Sequence, residues 1–445
     1  MINLMKTRNI YSLLYVTFVA VALVACNDYD AAQTAYEEIV DSDVTTTPPN
    51  IDSAWELQLI PNVGQHSGEV FVYKDKKYDK LFTRTLGWNG GIGVQSTSLS
   101  DGNVLWAFND SYFGVVDAET RARGNCNFPH NSIMIQTTVG GSLGETDDDL
   151  RWLVDYIQTN DPDGEGYYQA YTHIAPDETI MEETDEEHFY QIGGATIFDN
   201  NGVKELQMLW GEIDNHEGKM TRTGTCLAVY SLEGQPGNST YLKRISKNEE
   251  FNTDDVGYGS TIWKDEHIYL YVTENNRPLV ARTTTHDLTS EWEYYIRDLS
   301  GNFMWQKMYP TKEERTRSTI MENNYVCSMP QIFKKGDYYY MIGQAVSYGH
   351  SVYLYRGETP YGPFTDQKIL FNVPYSVDKI GNQYYKNLLR VNLHLELARE
   401  GELVFSTNTD ADTAGDNFDF PGSADFCRPY FYRIFNWESI YDEDD

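Results

Sequence analysis

The chain has 445 residues, with 67 acidic against 34 basic side chains and a formal net charge of −33. A field of that sign repels phosphate backbones and anionic lipid, which excludes nucleic acid and anionic membrane surfaces as partners. Tyrosine (34) and tryptophan (9) are abundant, enough for a large core and for aromatic faces that suit sugar rings.

Lys6 and Arg8 precede an apolar run over residues 11–24 that ends in Leu23-Val24-Ala25-Cys26. A positive start, a short apolar stretch and small residues before the cut predict a secretory signal over residues 1–25. The Cys26 thiol then takes a diacylglycerol and becomes the new N-terminus. The run is shorter than the ~20 residues of a membrane span, so an ordinary signal peptide or short anchor is the weaker alternative. Loss of Lys6 and Arg8 takes the charge from −33 to −35. Residues 26–52 are polar, acidic and rich in Thr and Pro, ending in Thr45-Thr46-Thr47-Pro48-Pro49, and read as a flexible tether. Asp28 and Asp30, close behind the lipidated Cys, resemble the signal that sends lipoproteins of Bacteroides-like bacteria to the cell surface. The expectation is a monomeric outer-membrane lipoprotein, exposed at the surface and touching the membrane through its lipid anchor alone.

Residues 53–440 read as one all-β domain. Helical periodicity has a single candidate, at 148–158, with Leu150, Leu153, Val154 and Ile157 on one face. Elsewhere short β-rich runs alternate with Gly, Asp and Asn turns, and they recur as a unit. A first strand, a polar turn and a second strand fall at 93–99, 101–102 and 104–108, then at 194–198, 200–202 and 206–210. The pattern returns at 259–263, 264–266 and 268–272, then at 328–333, 335–337 and 338–342, and last at 393–398, 400–401 and 403–405. Outer strands are expected at 279–282, 292–295, 352–356 and 360–364. The later units repeat every ~65 residues, the size of a four-stranded blade with decorated loops, and five units predict a five-bladed β-propeller with a central pocket. The segment 55–82 precedes the first unit and is placed to give an outer strand to the last blade, closing the ring. A pair of β-sandwiches is the alternative. Cys126, Cys226, Cys327 and Cys427 form an even set in an oxidising compartment, which allows three disulfide pairings.

Four motifs carry a resemblance. Gly87-Trp88-Asn89-Gly90-Gly91-Ile92-Gly93 is followed by Leu99-Ser100-Asp101-Gly102-Asn103-Val104-Leu105-Trp106-Ala107-Phe108-Asn109-Asp110-Ser111. Tyr258-Gly259-Ser260-Thr261-Ile262-Trp263 and Glu358-Thr359-Pro360-Tyr361-Gly362-Pro363-Phe364 come later, and the closing motif is Phe405-Ser406-Thr407-Asn408-Thr409-Asp410 with Arg428-Pro429-Tyr430-Phe431. From about Gly87 to Ile434 the chain resembles bacterial five-bladed propellers that include endo-D-arabinanases of glycoside hydrolase family 183. More distantly it resembles furanosidase propellers such as glycoside hydrolase family 43. The resemblance implies a glycosidase or sugar-binding propeller that takes a polysaccharide. It also exposes a departure: the Gly-Gly-x-Gly turn of the family carries Asp at x, and here x is Ile92, which can neither accept a proton nor attack carbon.

Glycoside cleavage needs two carboxyl groups across the scissile bond. Asp110, at the end of the second strand of the first unit, is the best-placed carboxylate, with an Asx-turn cap as its structural alternative. Glu212 and Glu274 follow the matching strands of the second and third units and are expected at equivalent positions; a solvated loop charge is the alternative for each. Trp88, Asn131, His394, Asn408 and Arg428 are candidates for substrate binding. For Trp88 the alternative is core packing, for His394 a satisfied core histidine, and for Arg428 a structural ion pair. His394 is expected on a strand, sharing its face with Glu396. No metal site or cofactor is expected, with a structural Ca2+ along the axis the one ion left open; the acidic run 182–187 lacks calcium-loop spacing. There is no Gly-x-Ser-x-Gly elbow, phosphate loop or His-Glu-x-x-His. A surface glycoside hydrolase, a catalytically inactive carbohydrate-binding lipoprotein and a purely structural propeller are the three readings that follow, in that order.

Overall fold

Runs rich in Val, Ile, Leu, Tyr and Phe, each closed by a Gly, Asn or Asp turn, fold back on themselves as antiparallel meanders. The computed structural model describes residues 51–441 except 61–69, 154–155, 161–165, 171, 179–186, 253–254, 324, 347, 374–378, 381–382, 385–386 and 412. The expected signal peptide, Cys26, almost all of the tether and most of the acidic run at 182–187 lie outside the described residues.

Five such meanders form five blades. Blade 1 consists of Leu86–Ser98, Val104–Val116, Asn131–Gln136 and Leu150–Trp152, with Arg123–Asn127 pairing the far half of the second strand. Blade 2 consists of His188–Asn200, Val203–His216, Lys219–Ser231 and Arg244–Asn252. Blade 3 runs Thr261–Lys264, Ile268–Glu274, Arg277–Thr283, Trp292–Arg297 and Phe303–Gln306, and blade 4 runs Ser328–Lys335, Tyr338–Gln344, Ser351–Gly357 and Thr365–Asn372. Blade 5 takes Asn387–Leu393, Glu402–Asp410 and Pro429–Phe435 from the C-terminal end, then Phe71–Asp75 and Leu57–Ile60 from the N-terminal end. The innermost strands adjoin one another in a closed cycle, blade 5 meeting blade 1, so the fold is a five-bladed β-propeller. The 55–82 segment closes the ring as expected, supplying two strands.

The core lies between blades. Leu105, Ala107, Ile133 and Ile135 of blade 1 pack with Tyr190, Leu206, Met208 and Trp210 of blade 2, all withdrawn from water. Each such side chain contributes about 1.5–3 kcal/mol when fully buried, which binds neighbouring sheets face to face.

Four expectations need correction. The helix at 148–158 is absent: Asp147–Asp149 is a single 3-10 turn, and Leu150–Trp152 and Tyr156–Asn160 are strands. Leu150 is buried, Arg151 exposed and Trp152 half-buried, the two-residue alternation of an outer strand paired with Met134–Gln136. In blade 5 the first strand is Asn387–Leu393; the chain then turns through His394 into the 3-10 helix Leu395–Leu397, so Glu396 is on a helical turn. In blade 4 residues 360–364 form a turn, and the outer strand starts only at Thr365. Finally, Cys126, Cys226, Cys327 and Cys427 are all free thiols. Cys126 and Cys226 fall in blades 1 and 2, Cys327 just before blade 4 and Cys427 just before the third strand of blade 5; burial pushes Cys126 and Cys226 up to about 11 and the other two higher still.

Candidate functional site

The innermost strands share a local irregularity. The register between first and second strands shifts between Ile92 and Gln95 in blade 1, Ile192 and Ala195 in blade 2, Ser328 and Gln331 in blade 4, and Leu388 and Val391 in blade 5. Bulges of this kind re-aim side chains and often border sites. Beyond them the first paired residues of the second strands are Asn109, Trp210, Gln344 and Thr409. The next residues are therefore equivalent: Asp110, Gly211, Ala345 and Asp410. In blade 3 the Gly259 amide donates to the Tyr271 carbonyl at the same level, which puts Glu274 in this set. Glu212 falls one residue farther on, opposite Tyr190, so the expected equivalence of three carboxylates holds for Asp110 and Glu274 but not for Glu212. The acidic members of the set are Asp110, Glu274 and Asp410.

Asp110 is held firmly. Its backbone is left-handed (φ 31°), its amide donates to the His130 carbonyl (2.9 Å), and its Oδ1 lies 3.1 Å from His130 Nδ1. The His130 ring stacks on Phe189, with centroids 3.9 Å apart and planes 12° from parallel, and its amide donates to Thr172 Oγ1. Asp110 keeps about a fifth of its side-chain surface in water (21%), whereas His130 keeps 9%. Asp410, in the neighbouring blade, accepts from the Cys427 thiol at 3.6 Å. Burial is the largest cause that raises the Tyr112 hydroxyl and the Cys427 thiol at the seam of blades 5 and 1, and the charges of Asp410 and Asp110 add to it.

Arg390, on the innermost strand of blade 5, completes this group. Burial pulls its guanidinium down to about 10, and Asp110 is the charge that opposes the shift. A methyl group on Gly93 (φ 63°) would stand 3.1 Å from Arg390 Nη1 and 2.9 Å from Asn109 Nδ2, so only glycine lets these donors approach the backbone. Ile92 is half-buried, opposite Asn109, and packs on the apolar cluster beneath. Gly90 leaves room for the buried Arg123, which donates to the carbonyls of Asn89, Asn417 and Phe426, while the Gly91 amide donates to the Cys427 carbonyl. The opening and closing motifs are thus two sides of one seam.

The other expected residues are engaged elsewhere. Both Glu274 oxygens accept from the buried Arg315 (3.0 and 3.2 Å), which also pairs with Asp255. Asn131 Nδ2 donates to the carbonyls of Ile174 and Tyr190, and its Oδ1 accepts from the Ile174 amide. Trp88 is core, stacked on Trp152 (5.0 Å, 18°). Asn408 is buried and donates to the Gly91 carbonyl. Arg428 is in an ion pair with Asp425 at 3.0 Å and lies over the Tyr430 ring. His394 is fully buried between Trp106 and Phe431, its Nδ1 on Ser96 Oγ (2.6 Å) and its Nε2 on Ser406 Oγ (2.8 Å), and burial pulls it down to about 3. With both nitrogens taken by serines, His394 does not fit a calcium-bound water, and among the described residues no group of three or more His, Cys, Asp or Glu could hold a metal ion. His130, Asp410 and Arg390 were not singled out from sequence. Asp410 stood inside the closing motif and His130 directly before Asn131, whereas nothing local marks Arg390.

Two carboxylates beside a guanidinium and an imidazole can hold a polyol and move a proton. No curated protein matches the chain. A crystal structure from Bacteroides ovatus ATCC 8483, provisionally designated a hydrolase, is 53% identical over 91% of this chain and 100% of that one, with a TM-score of 0.83. A GH43_1 enzyme from Xanthomonas citri is 11% identical, with 80% of this chain and 88% of that one covered and a TM-score of 0.39. An exo-β-1,3-galactanase from Phanerochaete chrysosporium, also 11% identical, covers 79% and 62% with a TM-score of 0.39. A family model described as a domain of unknown function, DUF5005, matches residues 75–437, most of the propeller, and the chain belongs to that family.

Proposed function

We propose that this chain is a glycoside hydrolase that cleaves an arabinofuranose-type polysaccharide at the seam of blades 5 and 1. The observation that carries the reading is the equivalent placement of Asp110 and Asp410 on the second strands of the adjoining blades 1 and 5, with Asp110 held by His130 and Asp410 by the Cys427 thiol. One carboxyl group donates a proton to the leaving oxygen and the other activates water or attacks the sugar. Asp410 is the proposed partner of Asp110, with Glu212 next to it in order. Glu274 is the weakest of the original three, because Arg315 occupies both of its oxygens. The Bacteroides ovatus relative and its hydrolase designation support the class of activity. The export reading joins this one: a monomer anchored through Cys26 at the outer surface meets polysaccharides too large to enter the cell.

Ile92 favours a second reading, a propeller that binds glycans without cutting them. One experiment separates the two. The mature domain is incubated with plant, fungal and mycobacterial polysaccharides, beside Asp110→Asn and Asp410→Asn variants. Released oligosaccharides from the wild type, lowered at least about 100-fold in Asp110→Asn, establish the hydrolase. Retention on a glycan in affinity gels without any product from the wild type establishes the binder.

A further inference from the structure

Arg390 is a charged side chain without a local partner. It makes none of the hydrogen bonds or ion pairs found among the described residues, and its Nη1 is sealed from water with no acceptor. A guanidinium carries five donors, and leaving it half-buried with Nη1 unpaired is costly. Burial does work against its charge, and only Asp110, too far for an ion pair, offsets this. Beside it stands Asn109. The Oδ1 of Asn109 accepts from the Ile192 amide at 2.7 Å, which fixes the amide plane and points Nδ2 away from that bond. Nδ2 donates to no described residue, and it lies with Arg390 Nη1 around the missing side chain of Gly93.

Resting on the hydrolase reading, we infer that Arg390 and Asn109 form a receptor for a hydroxyl group of a neutral sugar, and that Gly93, by lacking a Cβ, lets the two donors come together. The ligand atom must accept from a guanidinium and an amide while facing Asp110. A carboxylate meets that first demand but is repelled by Asp110, by Asp410 and by the overall charge of −33. A hydroxyl satisfies both demands, because it accepts from Arg390 and Asn109 and donates its own proton to Asp110. The substrate class is therefore a neutral glycan with that hydroxyl unsubstituted, and uronic acids and sulfated sugars are excluded. Ile92 then acts as an apolar wall beside the receptor, against the carbon face of the ring.

The test uses the full mature protein, with calorimetry on the wild type for polygalacturonate, methyl arabinofuranoside and its analogues, and on Asp110→Asn for arabinan alone, so that the polymer is not consumed. Probes are arabinan, polygalacturonate, methyl arabinofuranoside and its mono-deoxy analogues. Wild-type specificity requires arabinan to bind, polygalacturonate not to bind, and one deoxy analogue to bind about 10–100-fold more weakly, the worth of a hydrogen bond to a charged group. Arg390→Gln and Asn109→Asp, the second of which keeps the Ile192 bond, are expected to bind the parent sugar at least tenfold more weakly and to lose discrimination against that analogue. Gly93→Ala holds the two donors apart with both intact, and its melting temperature shows whether it folds. If Arg390→Gln binds and discriminates as the parent does while wild type still cleaves arabinan, the receptor is overturned and the hydrolase stands. If polygalacturonate binds best, the receptor is for an anion and the inference fails. If wild type neither binds nor cleaves any of these glycans, both fall together.

Discussion

At the residue scale the structure separates side chains that resemble each other in sequence. Asp110 and Glu274 hold equivalent positions on second strands, Asp110 in the middle of Val104–Val116 and Glu274 at the end of Ile268–Glu274, yet Asp110 leans on a histidine at the seam while Glu274 is locked to Arg315, which is buried. Glu274→Ala leaves that guanidinium with the Pro310 carbonyl and one carboxylate, Asp255, itself mostly in water. Because Glu274 keeps some contact with solvent, the expected loss is about 2–3 kcal/mol, below that for a fully buried pair. Urea denaturation measures it, and the specific activity of the folded fraction is expected to hold. A loss of product without a change in midpoint would return Glu274 to the chemistry. Asp110 was legible because it stands inside a recognisable motif, although the strand expected to end at it runs on to Val116. Asn131, His394 and Asn408 were placed in the site on the same kind of signal; Asn131 and His394 spend their polar atoms on the fold, and Asn408 spends its Nδ2 there while its buried Oδ1 has no partner. A motif marks a seam, but not which side of the strand each residue faces.

At the element scale the hairpins were the readable part. Turns such as Asp101-Gly102 and Asn201-Gly202, flanked by alternating apolar residues, fix two strands at once, and the inner pairs of blades 1 to 4 lie where those turns put them. Outer strands are short and half-exposed, so their alternation blurs; Leu150–Trp152 passed for a helix because three residues cannot show a period. The strand Phe71–Asp75 shows what secures the closure. Asp75 caps the helix Lys76–Leu81 through the amides of Lys77 and Tyr78, and its other oxygen pairs with the buried Arg433, which also holds Glu402. Asp75→Ala removes a cap worth ~1 kcal/mol and half of a buried ionic network worth about 3–5 kcal/mol to break. A drop in urea midpoint of that order, with faster proteolysis at the N-terminal strands, is expected. An unchanged midpoint would mean that sheet pairing alone holds the ring.

At the scale of the whole molecule, the five-fold repeat and the ring closed by both ends of the chain were legible, because they follow from counting strands. The sealing of the ring was not, because it depends on side chains far apart in sequence. His394 sits in that seal, between Ser96 of blade 1 and Ser406 of blade 5, with Glu396 (3.9 Å) and Arg433 as its charged neighbours. Desolvation first, and Arg433 second, pull it down to about 3. The unfolded chain takes up this proton near pH 6.5, the folded ring only near pH 3. The stability due to the neutral histidine is therefore complete above pH 6.5 and is lost as pH falls through that window, by about 1.4 kcal/mol per unit. His173, pulled down to about 4 by burial, adds a loss of the same sign. Asp79 and Glu396, raised by burial, act oppositely, because the folded state keeps their protons to higher pH. The His173 and Asp79 terms are present with or without His394, so the difference between wild type and His394→Gln isolates the seal, with Glu396 as part of it. Its amide can still meet both serines, and wild type should lead at pH 7. Urea midpoints from pH 7 to 5 should show that lead shrinking by about 1.4 kcal/mol per unit below pH 6.5. Parallel curves would mean that the histidine is reached by protons in the folded ring, and that blades 5 and 1 part readily at the seam where the proposed chemistry lies.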